Sequence, residues 1–514
     1  MMNSKARFAL LSSASSAVAI FLVPTAAQAQ STTCSQLTTT ITCVDGTNTV
    51  LTATTDPVTT TTAGPGLVTT NTTGASNVSY TATGPIATTG VTAVNLTSTG
   101  GALNFTPAGA TAPVNISTTG GIGANGLVLN TIGQAATVTV GSISTTGANS
   151  FGVLANGGTD LTLRTGNISV TGAGSTAIDA AAQTGNININ AGNITANGRG
   201  LRTIATGTNT IVVGNVTTGD RGILANGSTV SVTAGNIVTS TNGATTPGGY
   251  GVAAQASSGN ATVRTGTVST VNGLGILATS AGATGAVDIG GCSSVTTAGN
   301  NASAVVGQTA GTGSVTINCG ALTTSGDNSN GVFATSTGGN MLVTTGAVNT
   351  TGVGAYGITA NTGGTGTVTV NAGNVTTTGL GSTGIFSRAN TGAVDIGYGN
   401  ITTSGTFSGG NTAAGLDILS NGNVNLRGAG STIRTNGAGT YGALIYGAGV
   451  TGNLGNVTTT GAGAQGALIT AASAPVNLTV GNVATTGNAL TVNAGANAVT
   501  LNTGTVTATE LGAT

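Results

Sequence analysis

The sequence predicts an all-β chain: a right-handed parallel β-helix, a solenoid with about 26 residues and three short strands per coil. Three observations lead there. A phrase GNITT, GNVTT or a close relative returns at Gly141, Gly166, Gly192, Gly214, Gly235, Gly266, Gly291, Gly320, Gly346, Gly373, Gly399, Gly430, Gly455, Gly481 and Gly504. The fourteen steps cover 363 residues, a mean of 25.9. Within each unit, short β-branched pulses alternate with Gly, Asn, Thr and Ser, as turn-punctuated strands do and helices do not. Glycine supplies 89 of 514 residues, more than twice its usual share of ~7%. A unit this short cannot bury an apolar face alone, so the units must stack.

One unit, GNVTTTGLGSTGIFSRANTGAVDIGY from Gly373 to Tyr398, justifies the strands in order. The first holds Val375, the second Ile385 and Phe386, and the third Val394 and Ile396. Val394-Asp395-Ile396 alternates with period two, which sends every second side chain inward. Inward residues stack on their equivalents in neighbouring coils. Ile194 and Val216 are expected inside, and Thr217 outside. Corners need positive φ or close backbone approach, which Gly and Asn allow. Asn follows the opening Gly at Asn167, Asn193, Asn215, Asn236, Asn374, Asn400, Asn456 and Asn482. Two structural roles fit it equally: a ladder of side-chain amides bonded from coil to coil, or a left-handed corner residue.

Residues 1–29 have the form of a secretory signal peptide: a basic start at Lys5 and Arg7, an apolar run from Ala17 to Val23, and Ala27-Gln28-Ala29 for cleavage. Residues 30–83 are expected to form a less regular capping segment, and 84–514 the β-helix, continuing beyond the C-terminus. IATTG at Ile86 and ISTTG at Ile116 and Ile143 set the phase of the early coils. Cys34 and Cys43 enclose a short loop that reads as a disulfide in an oxidising compartment. Cys292 and Cys319 fall in one phase of consecutive coils, at a spacing that a disulfide accepts; free stacked thiols are the alternative.

After residue 29 the chain keeps eight Arg, ten acidic residues and no Lys, a net charge of −2, which argues against nucleic acid. It contains no His, which removes His-based triads and HExxH zinc sites, and no cofactor or metal motif is present. Asp288 and Asp395 share the phrase AVDIG but stand four coils apart, roughly 19 Å, too far for a glycosidase pair. Asp160, Asp179 and Asp220 fall in different phases. The chain therefore does not read as an enzyme.

One surface feature rises above the background. The residue before the second strand's Gly is usually small, but it is Phe151, Arg199, Arg221, Tyr250, Tyr356 and Tyr441 in some coils. Arg199, Arg221 and Tyr250 are expected to form an outer ridge, since Arg and aromatic side chains anchor binding surfaces. The alternative is that an exposed corner merely tolerates large residues.

The signal peptide, the early cysteine pair in CSQLTTTITCVDGTNT, and the long Gly/Thr/Asn repeat together resemble the passenger of bacterial autotransporters and related adhesins. That resemblance implies export by a type V-like route and display at the cell surface or outer membrane of a Gram-negative bacterium. The translocator barrel is not in this chain. The implied role is structural or adhesive, toward a glycan or protein on a host or another cell. Two rivals are a β-helix polysaccharide-degrading enzyme and an ice-binding Thr array. For the array, Asn456-Val457-Thr458-Thr459-Thr460 offers outward Asn-x-Thr-x-Thr, but its fifth position is irregular at Val170 and Ala196.

Overall fold

The computed structural model describes residues 85–510 except 99, 108–113, 241–248 and 407–412, together with the backbone of six strands between Ser35 and Ala82. The expected signal peptide and Cys34, and with it the proposed Cys34–Cys43 bond, lie outside the described residues. Among those described there is no helix; parallel strands stack in a β-solenoid of about 15 turns, about 26 residues apart.

Each coil carries three strands. In one unit these are Ile168–Val170, Thr176–Ala182 and Ile187–Ala191. Each column of strands forms one face, called the first, second and third in that order. The second strands build a sheet of their own. First and third strands belong to one larger sheet, because a third strand runs directly into the next first strand at Val287–Thr297, Val315–Thr324, Val450–Thr459 and Val476–Thr485. The early phase is as expected: Ile116 pairs with Ile86 on one side and Ile143 on the other. Upstream, Ile41 pairs with Leu67 and Leu67 with Val94, all in parallel, while Ser35–Leu37 lies antiparallel to Thr40–Val44.

Alternation in the strands fixes what is buried. Ile168, Ile194, Val216 and Ile237 occupy one inward column in register, each at most 1% exposed. Thr195 and Thr217 between them face solvent. Burying each such side chain contributes about 1.5–3 kcal/mol. That gain is repeated on every rung, which is why Val and Ile recur and charge does not.

The second Thr of the GNxTT phrase points inward. Thr118, Thr324 and Thr350 are buried, and their hydroxyls donate to corner carbonyls of Ala124, Ser329 and Ala355 at 3.2, 2.6 and 2.9 Å. These bonds hold the turn that follows the first strand. Val170 and Ala196 belong to this inward column, since Val170 pairs with Ala196 and Ala196 with Thr218. They are not gaps in an outward array, and the sequence reading placed them one position out of phase.

This column yields a paired prediction. Thr324→Val should cost about 1 kcal/mol, the value of one buried hydrogen bond plus an unpaired carbonyl. Thr377→Val should be neutral or stabilising, because the Thr377 hydroxyl is buried with no partner among the described residues. Urea midpoints of the two variants would check this; equal losses would contradict it.

The Asn residues form a ladder, but of a different kind from the amide-to-amide one. The side-chain carbonyl of Asn167 accepts from the backbone N–H of Asn193 at 2.9 Å, Asn193 from Asn215 at 2.8 Å, and Asn215 from Asn236 at 2.8 Å. Asn374 does the same for Asn400, and Asn456 for Asn482. Each side chain thus satisfies a backbone donor at a bend where the strand ladder is interrupted. The left-handed role belongs to another corner. Between the first and second strands, Asn149 and Gly174 are equivalent, with φ of 52° and 67°, as are Asn301, Asn328 and Gly354, with 55°, 54° and 64°. Asn and Gly alternate there because both accept positive φ.

Cys292 and Cys319 are in register on adjacent rungs, with Cα atoms 4.8 Å apart, and are joined by a disulfide. Both are buried. The bond staples one coil to the next. Tyr398 makes a longer link: its hydroxyl donates to the carbonyl of Leu454 at 2.8 Å, 56 residues away. The phenol crosses the coil between them beside Gly428, where a Cβ would overlap the ring.

Candidate functional site

Charge is distributed unequally among the faces. The first strands from Ile86–Thr89 to Ile401–Thr403 contain no Asp, Glu or Arg. The ion pairs of the described residues lie on the second face, the third face and the corner before the second strand. Asp179 and Arg202 face each other on neighbouring second strands at 3.0 Å. Arg264 pairs with Asp288 on the third face, as Arg427 does with Asp395 at 2.8 Å. Asp288 and Asp395 are four rungs apart through Thr316, Leu342 and Thr369, as the spacing required.

The structure brings together all three residues of the expected ridge. The N–H of Gly200 bonds to the carbonyl of Arg221 at 2.8 Å, and that of Gly222 to Tyr250 at 2.9 Å. Arg199, Arg221 and Tyr250 are therefore successive rungs of one corner. The Arg221 guanidinium carbon lies 5.8 Å from the centre of the Tyr250 ring, within cation–π range. Asp220, which sequence reasoning left outside the ridge, sits between the two arginines, 3.8 Å from Arg199 and 4.0 Å from Arg221. At those lengths the pairs are ionic contacts, not hydrogen bonds. Arg199 keeps 46% of its side chain exposed. Burial pushes the Tyr250 phenol above its usual range, against the opposing pull of Arg221 and Arg199, so the hydroxyl keeps its proton at neutral pH. The ridge thus presents guanidinium and phenol donors.

A second cluster on the same face was not anticipated. Tyr356 stacks on Phe386 with ring centres 5.4 Å apart, and Arg388 lies over Phe386 at 3.9 Å. Arg388 bonds the nearly buried Asp417 at 2.9 Å, with 6% of that carboxylate side chain exposed. The signal was present in Phe386-Ser387-Arg388, where two large residues share the outward phase of a second strand.

The same face carries a cleft of about 510 Å³, lined among others by Thr206, Asn226, Gln255, Ser257 and Thr279. No lining residue is charged. The irregular period hints at it: the steps Gly192 to Gly214 and Gly214 to Gly235 are 22 and 21 residues, well below the mean. Comparison with known protein families, curated proteins and solved structures finds no match to this chain. Fold and site define a parallel β-solenoid with a disulfide between coils and, among the described residues, its ion pairs on the second and third faces and the corner before the second strand.

Proposed function

We propose that the chain is an exported structural or adhesive passenger, displayed at the surface of a Gram-negative bacterium by a type V-like route through a translocator outside this chain. Its second face would meet a glycan or protein on a host or another cell. The observation that carries this reading is the ridge: Arg199, Arg221 and Tyr250 on consecutive rungs of one corner, with the Arg199 side chain 46% exposed. Arg and aromatic anchors of this kind dominate binding energy at protein surfaces. The form of residues 1–29 supports export.

The test is attachment of the displayed protein to cells or immobilised glycans. Replacing Arg199, Arg221 and Tyr250 together by Ala should abolish attachment and leave the circular dichroism spectrum unchanged, because corner residues carry little of the core. Unchanged attachment would return the ridge to an ordinary tolerant corner. Release of sugars from a polysaccharide would instead favour an enzyme.

An ice-binding role is a second reading, favoured by first strands that carry no charge from Ile86–Thr89 to Ile401–Thr403, with Thr195, Thr217, Thr296, Thr323, Thr376 and Thr402 among their outward residues, before Arg434 on the next rung. Ala87, Val238 and Asn349 interrupt that column. An ice-recrystallisation assay decides it.

A further inference from the structure

We propose that the cleft on the second face is a binding site for a neutral oligosaccharide, a reading that rests on the adhesive role and names part of its ligand. The cleft has a definite cause. The connection from second to third strand takes four residues after Ala182, two after Ala205, one after Gly227, four after Ala256 and six after Ser280. Two successive coils therefore cut their corner short between longer neighbours. The result is a notch in an otherwise continuous edge.

The floor of the notch is a column of hydrogen-bonding side chains. Asn226 pairs in register with Gln255 and Gln255 with Thr279, so two amides and a hydroxyl repeat at the strand spacing of roughly 4.8 Å. Thr206 and Ser257 add hydroxyls at the rim, and both are exposed. Amide and hydroxyl groups both donate and accept, which suits a polyhydroxylated ligand. The uncharged lining disfavours a charged one, whose desolvation nothing there would offset. The volume falls within the roughly 300–1,000 Å³ of small-ligand sites.

The notch also shares its strands with the ridge. Arg221 lies two residues before the strand Ile223–Gly227, and Asn226 in that strand is five residues on, or about 17 Å at ~3.3 Å per residue. A glycan seated in the notch would run toward the ridge along the second strands.

The experiment titrates the full chain with maltotetraose, cellotetraose and tetra-N-acetylchitotetraose, by saturation-transfer NMR and calorimetry. At least one should bind. Asn226→Ala with Gln255→Ala should weaken it tenfold or more, as should Ser257→Trp, which fills the notch from an exposed position. No binding by any of the three, or equal affinity in the notch variants, overturns the proposal. Failure of the adhesive role is read separately, in the cell-attachment assay.

Discussion

Val216→Asp is expected to destabilise the protein by several kcal/mol, enough to unfold the coils around it. Val216 is fully buried between Ile194 and Ile237 in the inward column of the first face. A carboxylate there would lie between apolar rungs without a partner, and an isolated buried charge is among the most costly changes available to a core. Raised pKa would neutralise part of the penalty, but the neutral acid would still lack hydrogen bonds. One residue along, Thr217 faces outward, and Thr217→Ser should change stability by no more than ~0.5 kcal/mol. Denaturant midpoints of the two variants would check the pair. Equal sensitivity would mean that the inward column is misassigned.

Tyr398→Ala is the second large expected effect, about 3–5 kcal/mol, in the range for emptying a buried aromatic site. The ring is 7% exposed and its hydroxyl reaches the Leu454 carbonyl two coils away. Truncation leaves both a cavity and an unpaired carbonyl. Tyr398→Phe separates the two, costing only the hydrogen bond, about 1–3 kcal/mol with the carbonyl left unsatisfied. Burial holds the phenol pKa well above its usual value, so both costs should be the same at pH 6 and pH 9. A loss that varied between those pH values would contradict the buried setting.

The parts of this architecture legible in sequence are those that repeat. Ile86, Ile116 and Ile143 reveal the coil phase because each needs the same partner above and below, and the structure pairs them so. The two buried cysteines were placed for the same reason. What escaped depends on how one coil differs from the next. The Asn ladder is legible only in part: the residue type signals a corner acceptor, but its donor, a backbone N–H of the next coil, is fixed by the fold.

Val170 and Ala196 read as outward positions when the phase is counted one residue late along the phrase; their partners bury them. The notch and Asp220 both sit in coils of shortened period, a deviation visible in the spacing but averaged away by the mean. Tyr398 gave no sign of its reach, since Leu454 is 56 residues distant and no repeat predicts it.

The central claim is that equivalent residues of successive coils stand in one straight column. Thr195 leads to Thr217, Val238, Ser269, Thr296, Thr323, Asn349, Thr376 and Thr402 by one rung each. Spin labels attached through an unnatural amino acid would leave the cysteines untouched. Pulsed dipolar spectroscopy should then give a narrow distance near 38 Å between positions 195 and 402, eight rungs at ~4.8 Å, and near 24 Å between 195 and 323. Distances that fail to grow by one strand spacing per rung, or broad distributions at both pairs, would contradict the solenoid.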